Sequence, residues 1–99
     1  MVKRFEVYLC ENNQEEKPCI VISPNEMNDT LPYVLIAPIT TCEQVYPFRY
    51  GVGLRGKKAY IAFDLIQPID KTALKNKIGI LPQQVYGQII DLLNEMFSK

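Results

Sequence analysis

The chain contains no histidine and no tryptophan among its 99 residues. Histidine is the side chain that most often acts as a general base near neutral pH and that most often ligates metals. Without it, any catalysis must use lysine, arginine, carboxylates, hydroxyls or cysteine. We therefore expect no metal site.

Cysteine is scarce, with three residues: Cys10, Cys19 and Cys42. An odd number without a Cys-x-x-Cys pair argues against a disulfide framework and against a structural zinc site. Cys10 and Cys19 belong to apolar segments, which predicts that both are small core residues. The sequence thus indicates a reduced, cytoplasmic protein.

Long apolar stretches are also missing, although 47% of the residues are hydrophobic. No segment approaches the roughly 18 uninterrupted apolar residues that a membrane span requires. The first seven residues lack the apolar run of a signal peptide. We expect no membrane contact, and a single domain over residues 1–99, because a chain of this size buries one core.

Charge is balanced in total, with 11 basic and 11 acidic residues, but it is unevenly distributed. Residues 1–48 are net acidic and residues 49–77 are net basic. A local basic surface could hold phosphates despite the neutral total. The alternative, which charge alone favours, is a solvated basic face. The basic residues between positions 46 and 62, where acids are absent, are Arg49, Arg55, Lys57 and Lys58.

Apolar and alternating runs predict several short strands. Pro38 is expected to bend the third strand or end its pairing. Asp70 suits the N-cap of a short helix over residues 71–75, and Gly79 suits a C-terminal breaker. Apolar residues at helical spacing after Pro82 predict an amphipathic helix. We interpret the pattern as α+β, a small barrel-like sheet with a C-terminal helix. The predicted strands are residues 5–10, 19–23, 33–37, 48–54, 59–63 and 66–69.

Residues 17–28 read KPCIVISPNEMN, which resembles the Arg-Pro-x-x-Val-Ile-Ser-Pro-x-x-x-Asn signature of the MazF/PemK (Kid) family of toxin–antitoxin ribonucleases. Further segments follow in the order and spacing of that family, so the resemblance covers almost the whole chain. These segments are VLIAPITT at 34–41, YPF at 46–48, AFDLIQPIDK at 62–71 and KIG at 77–79.

The resemblance implies the toxin of a type II toxin–antitoxin system with an SH3-like β-barrel of the MazF/PemK/CcdB-like kind. Such a toxin is a homodimer that cleaves single-stranded RNA without a metal or other cofactor. Its products carry a 2′,3′-cyclic phosphate and a 5′-hydroxyl. Its partner is a cognate antitoxin, which lays an acidic segment across the RNA groove.

Position in the motifs makes Lys17 and Thr40 the candidate catalytic residues. Lys17 stands where the family has a catalytic arginine, and Thr40 stands where a threonine binds the scissile phosphate. By the same resemblance, the candidate RNA-binding residues are Thr41, Asp64, Gln67 and Ser23.

Simpler roles stay open for four of these side chains. Lys17 could be an exposed cation beside Glu15 and Glu16, and Thr40 a strand-end hydroxyl. Asp64 could be a surface carboxylate, and Ser23 could cap the turn that follows it.

Three departures from the family pattern concern the site. The first loop, residues 11–16, is short and acidic. Leu65 and Gln67 replace the family's glutamine and arginine, and Lys17 cannot form the planar fork of arginine. Two other functions therefore stay open: a catalytically inert binding module on the same fold, and a CcdB-like gyrase-inhibiting toxin.

Overall fold

The computed structural model describes residues 2–12, 14–41, 48–54 and 56–97. In these residues the chain forms seven strands and two α-helices, with single 3₁₀ turns at Phe63–Leu65, Lys71–Ala73 and Gln83–Val85. The strands are β1 (Glu6–Asn12), β2 (Glu15–Val21), β3 (Tyr33–Thr40), β4 (Arg49–Leu54), β5 (Lys57–Ala62), β6 (Gln67–Asp70) and β7 (Leu74–Ile80). The helices are α1 (Asn25–Thr30) and α2 (Tyr86–Phe97).

All strand pairs are antiparallel, in the order β4-β5-β3-β2-β1-β7. β3 is the centre of the sheet because it pairs with three strands. One edge meets β2, and the other meets β6 along Tyr33–Ile36 and β5 at Ile39 and Thr40. The sheet curls into a half-barrel with a C-terminal helix. The α+β prediction is therefore confirmed.

The two faces of the sheet bury different clusters, because successive side chains of a strand point to opposite sides. One face packs against α2 through Ile89 and Leu93, with Ile20, Ile61 and Phe63 fully buried beneath it. The other face has a smaller apolar cluster and carries polar side chains around it. This smaller cluster is Cys10, Cys19, Val21, Val34 and Ile36.

The prediction of a short helix over residues 71–75 is wrong. Only a 3₁₀ turn forms at Lys71–Ala73, and Gly79 lies within β7 rather than after a helix. In this described segment Asp70 makes no capping hydrogen bond with its side chain. β7 pairs with β1, which would otherwise be an unpaired edge, so tertiary pairing overrides the local helical signal.

Pro38 marks the end of the β2–β3 ladder, as predicted. The pairing runs from Val21–Ile36 to Cys19–Pro38, after which β3 continues to Thr40 against β5. The first hairpin is longer than predicted, because β1 and β2 pair out to Asn12 and Glu15. The polar residues of the predicted loop are thus partly strand.

The prediction that the cysteines are reduced is wrong for Cys10 and Cys19, which a disulfide joins. Cys10 pairs with Lys17 and Cys19 pairs with Tyr8, so the two cysteines are diagonal neighbours on one face of the hairpin. Their Cα atoms are 6.3 Å apart, within disulfide reach. An odd cysteine count could not reveal this pairing. The prediction that both are core residues is confirmed.

Reduction of the disulfide is expected to lower the free energy of unfolding by roughly 2–3 kcal/mol, because it releases a short closed loop in the unfolded chain. Urea denaturation with and without dithiothreitol measures this change. The Cys10→Ala/Cys19→Ala double variant should not respond to the reductant. Equal stability of the wild type in both buffers would show that the bond does not form in solution.

Several sequence-based statements lie outside the described residues. These are the loop at 42–47, which contains Cys42 and the Tyr-Pro segment, and Arg55 in the predicted hairpin turn. Within the described ranges, no helix is long and apolar enough to cross a membrane.

Candidate nucleic-acid interface

The face of the sheet away from α2 brings Thr40 and Lys17 together with other polar residues. Thr40 of β3 pairs with Tyr60 of β5, and Tyr60 pairs with Gly51 of β4. Paired residues of neighbouring strands direct their side chains to the same side of a sheet. Lys17 and Thr40 each lie two residues from the last β2–β3 pair, so strand alternation places them on this same side.

We call the part of this side that β2 to β6 form the polar face. It combines three cations, a hydroxyl, an amide and an aromatic ring, and β4 contributes two glycines that leave its backbone uncovered. The residues of the polar face are Lys17, Thr40, Arg49, Lys58, Tyr60 and Gln67, with Gly51 and Gly53.

Lys17 is well placed to meet an incoming anion. Its side chain is 67% exposed, and its Nζ lies 3.3 Å from Oε2 of Glu15, which is equally exposed. Exposed ion pairs contribute little free energy, because water screens both charges. A phosphate can therefore displace Glu15 from Lys17 at small cost.

Lys17 and Gln67 line one small cavity of about 100 Å³, together with the Cys10–Cys19 hairpin. Gln67 reaches this place because β6 pairs with β3, where Gln67 is opposite Ile36. The cavity is too small for a nucleotide, since ligand sites are usually several hundred cubic ångströms. It is a notch that can accept one polar group beside Lys17.

Asp64 and Arg49 form a bidentate ion pair. Arg49 donates from Nε to Oδ1 of Asp64 at 2.8 Å and from Nη2 to Oδ2 at 3.1 Å. The hydrogen bond from Arg49 lowers the pKa of the Asp64 carboxyl. The carboxylate thus holds the guanidinium in place.

Ser23 lies inside the protein, apart from the polar face. It is 1% exposed, and its hydroxyl donates to Oδ1 of Asn28 and accepts from the backbone N–H of Leu35. Asn28 is equally buried. The hydroxyl therefore links Asn28 to β3 and does not cap the turn, since within the described residues 14–41 no side-chain capping hydrogen bond forms at the start of α1. Because Ser23 is buried, we do not include it in the proposed site.

The remaining candidates differ in exposure. Thr40 is half-buried at the end of β3, and Thr41 is exposed just after it. Sequence reasoning missed Tyr60, and it identified Arg49 and Lys58 only as part of a basic stretch. Strand alternation in 57–62 predicts that Lys58 and Tyr60 share one face and that Lys57 lies on the other. It does not predict that Tyr60 lies beside Thr40, because that depends on the pairing of β3 with β5.

Two other features do not contribute to the polar face. An apolar cavity of about 480 Å³ lies between the edge strands β4 and β7 on the α2 side. On β1, the buried Glu6 carboxylate accepts from Tyr8 and from the N–H of Lys3, and pairs with Lys77 at 2.6 Å. Burial, with the Glu6 hydrogen bond, raises the pKa of Tyr8 to about 12. This cluster fastens β1 to β7.

Comparison with known proteins assigns the chain to a family. The family described as PemK-like, MazF-like toxin of type II toxin-antitoxin system matches residues 3–97. The chain belongs to the PemK/MazF toxin family. A comparison with curated proteins gives no match.

Solved structures of MazF toxins have the same fold. An endoribonuclease from a mycobacterial species, in complex with its cognate antitoxin, matches with a TM-score of 0.84 and 23% identity over 96% of this chain and 93% of that one. The Mycobacterium tuberculosis toxin MazF-mt6 matches with a TM-score of 0.81 and 20% identity, over 93% and 95% of the two chains. MazE-MazF from Deinococcus radiodurans matches with a TM-score of 0.82 and 16% identity, over 98% of this chain and 95% of that one.

Membership of the PemK/MazF family favours the toxin over both alternative functions, the inert binding module and the CcdB-like gyrase inhibitor. At these identities the structural matches establish the fold alone.

Proposed function

We propose that this chain is a toxin that acts in the cytoplasm as a metal-independent endoribonuclease on single-stranded RNA. The observation that carries the proposal is the position of Lys17 and Thr40, which come from different strands and share the open polar face. Membership of the PemK/MazF family supports it. So does similarity to a structure described as an endoribonuclease.

The proposed reaction is a transesterification within the RNA backbone. The ribose 2′-oxygen loses its proton and bonds to the adjacent phosphorus, while the bond from phosphorus to the next 5′-oxygen breaks and that oxygen takes up a proton. The products are a 2′,3′-cyclic phosphate and a 5′-hydroxyl. The Lys17 ammonium offsets the negative charge of the phosphorane, and the Thr40 hydroxyl donates to a phosphate oxygen.

Other residues of the polar face would hold the strand on either side of the cut. Arg49, oriented by Asp64, supplies a cation for a flanking phosphate. Gln67, in the notch beside Lys17, presents an amide that can hydrogen-bond to a base edge. Thr41 lies next to Thr40 and is exposed, so it is a further candidate for a contact with the RNA.

We further propose that the chain forms a homodimer and is inhibited by a cognate antitoxin. Similar structures include toxins solved with their antitoxins. Several large apolar side chains are exposed, and association would remove them from water. Those with at least half their surface exposed are Leu65, Ile80 and Phe97.

The test is cleavage of a long unstructured RNA in the presence of a chelator. We expect cuts with 5′-hydroxyl ends, which polynucleotide kinase can label directly. Thr40→Val should lower the rate by at least about tenfold, because it removes a phosphate donor, and Thr72→Val in the turn after β6 should not. Intact RNA at high protein concentration, or equal rates for wild type and Thr40→Val, would contradict the proposal.

A further inference from the structure

Tyr60 lies on the polar face at the point where three strands meet. Thr40 of β3 is its partner on one side, and Gly51 of β4 is its partner on the other. A nucleotide bound at Thr40 would therefore lie next to Tyr60, the direct neighbour of Thr40 across the sheet. None of the roles assigned so far uses this ring.

The Tyr60 ring rests on the uncovered backbone of β4. A Cβ atom at Gly51 would lie 3.7 Å from Cε1 and 3.8 Å from Cδ1 of the ring, which is van der Waals contact. A larger side chain at position 51 would cover the ring. With glycine there, no side chain at position 51 covers the ring, which is half-buried.

Lys58 adds a cation beside this ring. It lies two residues before Tyr60 on β5, on the same face, and its Nζ is 5.7 Å from the ring centroid. Lys58 is exposed, so its attraction to the ring is weak and its ammonium can move to a phosphate. The ammonium lies over the ring, and once it moves off the ring the pair is suited to one nucleotide, with the base on the ring and the phosphate on the cation.

We propose that Tyr60 is a stacking platform for one nucleobase of a single-stranded RNA, in a subsite next to Thr40, and that Lys58 binds an adjoining phosphate. The inference rests on the proposed function for its choice of RNA as ligand. A base can reach the ring only when it is not stacked within a duplex, so the platform selects for single strands. The phenol hydroxyl has no part in the stacking.

Binding of a fully 2′-O-methylated single-stranded RNA of mixed sequence tests the platform without cleavage, because the nucleophilic hydroxyl is blocked. Fluorescence anisotropy gives the Kd for wild type, Tyr60→Phe and Tyr60→Leu. We expect Tyr60→Phe to bind within about twofold of wild type and Tyr60→Leu to bind about tenfold or more weakly. Thermal denaturation confirms that the variants are folded.

Lys57 and Lys58 provide a matched pair for the phosphate contact. Both are exposed on β5, but Lys57 pairs with Leu54 and points to the opposite side. Lys58→Ala should reduce the slope of log affinity against log salt by about 0.7, and Lys57→Ala should leave it nearly unchanged. Tyr60→Leu should lower the affinity without changing the slope, because stacking releases no counterions.

The outcomes separate this proposal from the proposed function. If Tyr60→Leu binds RNA as tightly as wild type, or if Tyr60→Phe is as weak as Tyr60→Leu, the platform is overturned even when wild type cleaves RNA. If binding depends on the ring and unmodified RNA stays intact, the platform stands and the nuclease proposal fails. If wild type does not bind the RNA at all, both are overturned.

Discussion

Lys17→Ala is expected to lower the rate of RNA cleavage by at least about 100-fold, the effect typical of removing one charge-stabilising contact in a transition state. The ammonium is largely exposed on the polar face and is paired only weakly with Glu15. It can therefore move onto the phosphorane as negative charge develops there. Single-turnover cleavage in a chelator measures the rate, and circular dichroism verifies the fold.

Two further variants make the Lys17 result specific. Lys17→Arg keeps the charge and restores the planar fork of a guanidinium, so it should retain activity or exceed wild type. Lys57→Ala removes an equal charge from the opposite side of β5 and should change the rate by less than about threefold. A folded Lys17→Ala variant with wild-type activity would remove Lys17 from the mechanism.

Asn28→Ala is expected to lower the free energy of unfolding by about 2–4 kcal/mol, because it leaves two buried polar groups without a partner. Nδ2 of Asn28 donates to the carbonyl of Ser23 at 3.0 Å, and Oδ1 accepts from the Ser23 hydroxyl. The same hydroxyl accepts from the N–H of Leu35 at 3.1 Å, which ties α1 to β3. Urea denaturation at neutral pH measures the loss.

Asn94 on the exposed side of α2 is the control for Asn28, and Asn94→Ala should change the stability by less than about 0.5 kcal/mol. Below its unfolding temperature, Asn28→Ala should bind RNA like wild type, since Ser23 and Asn28 lie away from the polar face. Stability unchanged in Asn28→Ala would show that water satisfies these groups. RNA binding lost in a folded variant would restore Ser23 to the site.

Much of the fold could be predicted from the sequence because it depends on local patterns. The alternation in 5–10 overlaps β1, the apolar run in 33–37 lies within β3, and the helical spacing after Pro82 marks α2. β7 could not be predicted this way. Lys75, Asn76 and Lys77 are polar, and their strand exists because β1 offers backbone partners far away in the sequence.

Only the residues of the candidate site that lie in the sequence motifs could be predicted. The motifs identified Lys17 and Thr40, which the structure places on one face. They named Asp64 as an RNA-binding residue, and its pairing with Arg49 is a contact that they did not reveal. Tyr60 belongs to no motif, and its relation to Thr40 follows from the pairing of β3 with β5. Contacts between strands that are far apart in the sequence cannot be deduced from the pattern of either strand alone.

The arrangement of strands around β3 bears on when the chain acquires its toxicity during synthesis. Lys17 and Thr40 emerge from the ribosome early, but the polar face needs β5, which ends at Ala62. The first strand gains its second neighbour only when β7 emerges, and α2 covers the core last. If the chain cleaves RNA as proposed, a nascent chain cannot cut the message that encodes it until β5, β7 and α2 have emerged, because the polar face and the core beneath it are incomplete before then.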